Sequence, residues 1–140
     1  MIVCPIALGI DFGTSGIRGA VVDAHKCILW QYRRLYPTAC YGLAQTWREA
    51  LFQLLACLPA DIAPQINAIA INGTSATVLL CDLQGTPTTE PLMYHDGRGQ
   101  EVLKQLGAFV PPNSPALSVT SSLAKLIWWY QNLPSKQWNA

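Results

Sequence analysis

The chain carries little charge. Asp, Glu, Lys and Arg make up only 12% of its 140 residues, against 51% hydrophobic residues, and the formal net charge is +1. The basic residues are scattered, with Arg33 and Arg34 the only adjacent pair. A nucleic-acid binder shows a basic patch or stripe, and a binder of anionic membranes shows clustered Lys and Arg. Neither pattern is present, so neither partner is expected. Long apolar runs are missing too. The opening MIVCPIALGI is apolar but has no basic n-region, and Asp11 interrupts it before a signal-peptide core and cleavage site could be completed. Nothing approaches the roughly 18 consecutive apolar residues of a membrane span. A cytoplasmic location is the expectation.

Paired cysteines are also lacking. Cys4, Cys27, Cys40, Cys57 and Cys81 are odd in number and far apart, with no C-x-x-C among them. That spacing argues against a disulfide framework or a zinc site and leaves free, buried thiols as the expectation. The phosphate-binding motifs with fixed spacing are absent as well. There is no G-x-x-x-x-G-K-[ST] and no G-x-G-x-x-G.

What is present is enough apolar sequence for one well-buried domain. Residues 6–12, IALGIDF, and 17–23, IRGAVVD, read as strands around the small turn Gly13-Thr14-Ser15-Gly16, a hairpin signal. After a turn at residues 23–26, CILWQYRRL alternates Ile28, Trp30 and Tyr32 with Leu29, Gln31 and Arg33, which predicts a third antiparallel strand. The period then changes to that of a helix. Trp47, Ala50, Leu51, Leu54, Leu55 and Leu58 share one face, Thr46 with Glu49 reads as a capping box, and Pro59 ends the run. INAIAIN, residues 66–72, predicts a further strand, followed by the small polar break Gly73-Thr74-Ser75-Ala76. Strands are then expected at 77–82 and 91–95, and helices at 98–106 and 121–132. The last helix has Leu123, Leu126, Ile127 and Tyr130 as its stripe, and Trp128-Trp129 is expected to be an exposed apolar face. Three strands, a helix and a later parallel strand make a mixed α/β sheet flanked by helices, the way the ribonuclease H-like architecture begins.

Asp11 is the first candidate for chemistry. A carboxylate ending a buried strand is costly unless it is paired. Mg²⁺ is one partner, since it is usually held by one or two carboxylates together with substrate phosphates. Gly13 and Gly16 would let backbone N–H groups approach a phosphate, and Thr14 and Ser15 add hydroxyls. On the residues alone, Asp11 either serves such a Mg–nucleotide corner or only caps a tight hairpin. His95 is a base by type, but no acid is placed by sequence to orient it, so it reads as an exposed loop histidine.

GIDFGTSGIRGAVVD resembles the first phosphate motif of the actin-like ATPase superfamily and, within it, of the FGGY carbohydrate kinases. INAIAINGTSATVLLCDLQGTP is similar to that family's second strand-loop-strand unit. PLMYHDGR is similar to its Trp-x-Asp-x-Arg segment, and SSLAKLIWWYQNLP to the helix that follows. The resemblance implies an ATP-dependent sugar kinase with ATP and Mg²⁺ as cofactors. It implies that Asp11 works with Mg²⁺ near the transferred phosphate, and that Gly13, Thr14, Ser15 and Gly16 form the phosphate hairpin. It implies a sugar-facing role for Thr74, Ser75, Asp96 and Arg98. This sequence departs from glycerol kinases, which have Asn-Gln-Arg-Glu in the substrate loop, and from xylulokinases, which have Gly-Gln-Met-His. Tyr94 stands where Trp is usual. The small loop leaves room for a sugar, and a ketopentose such as ribulose or xylulose is the expected substrate.

By the same resemblance, residues 1–140 are the first part of the N-terminal domain of such a kinase. The catalytic Asp, the second phosphate loop and the adenosine site of the family all lie beyond the matched region. The isolated chain is therefore expected not to catalyse. Its alternatives are a subunit of a split kinase, with a second polypeptide carrying the C-terminal domain, or a non-catalytic sugar- or phosphate-binding remnant. An actin- or chaperone-like assembly ATPase fits less well, because YHDGR and the last helix resemble sugar kinases.

Overall fold

A computed structural model describes residues 5–37 and 42–134. The chain divides into two compact units, Met1–Thr74 and Ser75–Ala140.

The first unit is built on a four-stranded mixed sheet. Strands β1 (Ile6–Phe12), β2 (Gly16–Val22) and β3 (Ile28–Leu35) form an antiparallel meander, and β4 (Ile66–Gly73) pairs parallel to β1, giving the order β3-β2-β1-β4. The parallel pair needs a crossover, which helix α1 (Leu43–Ala56) supplies. Alternation along β1 and β2 turns Ile6, Leu8, Ile10, Ile17 and Val21 to one face, where Ala50 and Leu54 of α1 close the core. Each fully buried aliphatic side chain there contributes about 1.5–3 kcal/mol. The helix lies so close that a Cβ on Gly19 would meet Leu54 Cδ1 at 2.9 Å.

The expected capping box is not used. Helix α1 begins a turn earlier than Thr46, at Gly42, whose φ of 102° suits glycine, with no side-chain cap. Thr46 lies inside the first turn, where its Oγ1 donates to the Gly42 carbonyl at 3.0 Å, and Glu49 accepts from Gln45 Nε2. The helix stops at Ala56, ahead of Pro59. Cys27, Cys57 and Cys81 are free but exposed, which corrects the expectation of burial; Cys4 and Cys40 lie outside the described residues.

The second unit has less regular structure than its sequence suggests. The strands expected at 77–82 and 91–95 reduce to isolated bridges, Val78 with Leu92 and Cys81 with Pro87. Between them Asp82 Oδ1 accepts from the backbone of Gln84 and Thr86, and Gly85 turns the chain at φ 81°. The predicted helix at 98–106 is a 3₁₀ segment, Arg98–Val102, running into a single turn α2 (Leu103–Leu106). Helix α3 (Ser122–Asn132) is capped by Ser121, whose hydroxyl accepts from Ala124 N–H. Its buried face is Ala124, Lys125 and Trp129, and Ala124 packs with Val102 and Leu106. The expected stripe fails at Leu126 and Tyr130, which are 45% and 72% exposed. Trp129, by contrast, is buried. Gly99 and Ala124 are in such close contact that a Cβ on Gly99 would stand 2.6 Å from Ala124 Cβ.

Candidate functional site

In the first unit the sheet's other face is open, and Asp11 stands on it. Register partners share a face, so Asp11 is flanked by Arg18 on β2 and Asn72 on β4, and Arg18 in turn by Arg33 on β3. Asn72 Nδ2 donates to Asp11 Oδ1 at 3.0 Å. A shallow cavity of about 730 Å³ lies over this face, lined by Gly9, Asp11, Arg18, Arg33 and Asn72 among others. The sheet therefore holds Asp11 through one oxygen and leaves its carboxylate at the C-terminal ends of two parallel strands, where α/β sheets bind ligands.

The hairpin that follows Asp11 is closed by Gly13 N–H donating to the Gly16 carbonyl at 2.9 Å. Thr14 and Ser15 are exposed at its tip. Three contacts fix the tip. Tyr36 N–H donates to the Ser15 carbonyl at 3.0 Å, Thr74 N–H donates to the Phe12 carbonyl at 3.1 Å, and the Thr14 and Thr74 hydroxyls lie 3.5 Å apart. The parallel register of β1 and β4 thus brings Thr74 beside the predicted phosphate hairpin. Gly16 is needed for a reason the sequence did not suggest. A Cβ there would strike the Arg34 carbonyl at 2.3 Å, so its small size serves the packing of β2 on β3. Burial, and then the charge of Asp11, push the Tyr36 phenol above its ordinary value of 10.0.

Arg18 and Arg33 are like charges placed opposite each other, an unfavourable pairing by itself. Among the described residues the one salt bridge is Arg98 with Asp96, so neither arginine is neutralised by a carboxylate. Two cationic groups beside a single carboxylate suit a polyanion carrying a cation. No group of three His, Cys, Asp or Glu residues that could hold a metal occurs among the described residues. Mg²⁺ does not require one, because it keeps waters and takes one or two carboxylates plus phosphates. The donor set around Asp11 fits Mg²⁺ in that form.

In the second unit Ser75 is exposed. Asp96 and Arg98 are engaged with each other: Arg98 N–H donates to Asp96 Oδ1 at 3.1 Å, and Arg98 Nε lies 3.1 Å from Asp96 Oδ2. The Arg98 guanidinium rests 4.9 Å over the Trp128 ring, whose Nε1 donates to Glu101. His95 is exposed, edge-on to Tyr94, as expected.

Three residues escaped the sequence reading. Asn72 could have been found from the polar end of INAIAIN, once that strand is paired parallel to the one ending in Asp11. Arg18 needed the hairpin register. Lys125, the largest fully buried side chain, read as an ordinary helical lysine.

Solved structures that share this fold include sugar kinases. A xylulose kinase from Brucella ovis superposes with a TM-score of 0.70 at 19% identity, over 91% of this chain and 29% of its own. A xylulose kinase from Rhodospirillum rubrum gives 0.67 at 21% identity, over 93% and 30%. The chain shares the fold of these sugar kinases. The Plasmodium falciparum glycerol kinase, solved with ADP, adds a TM-score of 0.63 at 16% identity, over 94% of this chain and 30% of its own. The chain thus spans about 30% of the length of these kinases, in their N-terminal part. No family model matches the sequence. At these identities the likeness shows the fold alone, in keeping with the mixed sheet flanked by helices expected from the strand order.

Proposed function

We propose that this chain is the N-terminal portion of an ATP-dependent carbohydrate kinase. The observation that carries the reading is the arrangement at the ends of β1 and β4. Asp11 is braced by Asn72, Thr14 and Thr74 meet beside it, and Arg18 and Arg33 share its open face. Asp11 would hold Mg²⁺, and the hairpin Gly13, Thr14, Ser15 and Gly16 would receive phosphate oxygens through hydroxyls and backbone. Bound there, Mg²⁺ would neutralise charge on the transferred phosphoryl group, the main task in such reactions. The arginines favour the same anion. Thr74, Ser75, Asp96 and Arg98 are the proposed sugar contacts. The contact with Arg98 would orient the Asp96 carboxylate to accept from a sugar hydroxyl.

The substrate proposed is a ketopentose, supported by the small Thr74-Ser75-Ala76 loop and by the xylulose kinases among the structural neighbours. No described residue is assigned as the base that a sugar hydroxyl requires. The isolated chain is therefore proposed to bind without turning over. A second reading, the subunit of a split kinase, is favoured by one observation. Ile69 and Ile71 of edge strand β4 are in register with the buried Leu8 and Ile10, yet are 58% and 66% exposed. Calorimetric titration with xylulose, ribulose, glycerol and gluconate tests the substrate. Tighter binding of the ketopentoses is expected, and equal or absent binding of all four would overturn it.

A further inference from the structure

A lysine is almost never fully buried unless it is paired, and Lys125 of α3 has no exposed surface at all. Its partners are not carboxylates. Nζ donates to the Ala76 carbonyl and to the Met93 carbonyl, each at 2.6 Å. Those carbonyls belong to two segments far apart in sequence. One runs on from Ser75, and the other leads through Tyr94 to Asp96 and Arg98. Neighbouring bonds join the same two segments. Val78 and Leu92 exchange N–H···O bonds at 3.0 and 2.9 Å, and Tyr94 N–H donates to Thr77 Oγ1 at 3.1 Å. The regular strands expected here do not form, so this junction depends on a few bonds, with Lys125 at its centre.

The backbone at the junction is also unusual. Ala76 has a φ of 60°, a left-handed conformation that residues with a Cβ seldom adopt. Such a conformation persists only where its surroundings impose it, and the short bond from Lys125 to the Ala76 carbonyl is one such constraint. Burial pushes the ammonium below the ordinary lysine value of 10.5, while the charge of Asp96 acts in the opposite direction. An apolar side chain of equal length would avoid that desolvation but leave the Ala76 and Met93 carbonyls without this donor, and a buried acceptor left unpaired costs about 1–3 kcal/mol. The cation thus ties together two segments that no regular ladder joins.

We infer that Lys125 is a positioning residue, a buried cationic clamp that sets the Ser75–Ala76 turn against the Met93–Arg98 segment and so fixes the spacing of the proposed sugar contacts. This rests on the carbohydrate-kinase reading for its substrate, but the clamp can be tested without it.

The experiment compares the chain with its Lys125→Met variant in three measurements: urea unfolding, amide hydrogen exchange, and calorimetry with xylulose and ribulose. The unfolding midpoint is expected to fall, because two carbonyls lose their donor, while the β1 amides of the first unit keep their exchange rates; acceleration at β1 equal to that at the junction would mark a residue serving stability alone and overturn the clamp. The Val78, Leu92 and Tyr94 amides are expected to exchange about tenfold faster or more. Ketopentose affinity is expected to fall by about tenfold or more, the scale of a lost charge-assisted bond. Unchanged exchange at those amides overturns the clamp. Faster exchange with unchanged affinity overturns its role in positioning. If the parent chain binds neither ketopentose, the kinase reading fails, and the exchange measurement still decides the clamp. Should Lys125→Met not fold, Thr77→Val removes the adjacent bond of the same junction. It is expected to weaken ketopentose binding about threefold, and no change would overturn the proposal.

Discussion

Replacing Gly16 with alanine should destabilise the first unit and disturb the phosphate hairpin without touching Asp11. The added methyl would stand 2.3 Å from the Arg34 carbonyl oxygen, 3.0 Å from Leu35 Cα and 3.1 Å from the Arg34 carbonyl carbon. All three are backbone atoms, so no side-chain rotation relieves the clash, and β2 and β3 must separate locally where their ladder begins. Overpacking of a closed site typically costs about 1–3 kcal/mol. A rigid backbone obstacle belongs at the upper end, and the gain of about 0.4–1 kcal/mol from a stiffer unfolded chain offsets part of it. The net loss is about 2 kcal/mol, and at about 4–8 °C per kcal/mol for a unit this small, the melting temperature should fall by about 8–16 °C. The control is Gly97→Ala. Nothing lies within 4 Å of its Cβ position and its φ is −94°, so its effect should stay within about 0.5 kcal/mol. Differential scanning calorimetry of the parent and both variants measures this. Gly16→Ala melting within about 2 °C of the parent, or no more affected than Gly97→Ala, would refute the packing argument.

Leu54→Ala should cost about 2–5 kcal/mol, because Leu54 is fully buried against Gly19 and its removal leaves a cavity in the core; urea unfolding measures the loss. Tyr36→Phe should raise stability near neutral pH by about 1 kcal/mol, because the Tyr36 hydroxyl is buried without a hydrogen-bond partner. It should also flatten the alkaline limb. A phenol whose folded value lies above 10.0 contributes stability that is fully present below pH 10 and is lost as pH rises through the raised value. Parent and variant falling in parallel above pH 10 would contradict that shift. Ser75→Ala should weaken ketopentose binding by about 1 kcal/mol, and an unchanged calorimetric affinity would remove Ser75 from the site.

The sheet was legible because its signals are local. The alternation of residues 6–12, the small hairpin and the run 66–72 each specify a strand by period and turn chemistry, and the helical stripe from Trp47 to Leu58 specifies the crossover. Errors came where tertiary context decides. Thr46 and Glu49 have capping-box spacing, yet glycine at Gly42 lets the helix start earlier and turns Thr46 into an internal residue. Residues 77–82 have a strand's composition but find only single bridges, and the segments on either side are tied instead by Lys125, a residue from a distant helix, through the Ala76 and Met93 carbonyls. A lysine at helical spacing reads as solvated, and only packing reveals it as buried. Trp128 and Trp129 could not be separated by composition; one covers Arg98 and the other enters the core. At the site, Asp11 and the hairpin were visible from adjacency, whereas Asn72 required the parallel register across 61 residues.

The most direct test of the central claim is calorimetric titration of the chain with inorganic tripolyphosphate, with and without Mg²⁺, for the parent and Asp11→Asn. The account predicts binding that requires Mg²⁺ and is lost in Asp11→Asn, while calorimetric melting shows the variant folded. Equal binding by the two proteins, or binding indifferent to Mg²⁺, would contradict the assignment of this corner to a Mg–phosphate group.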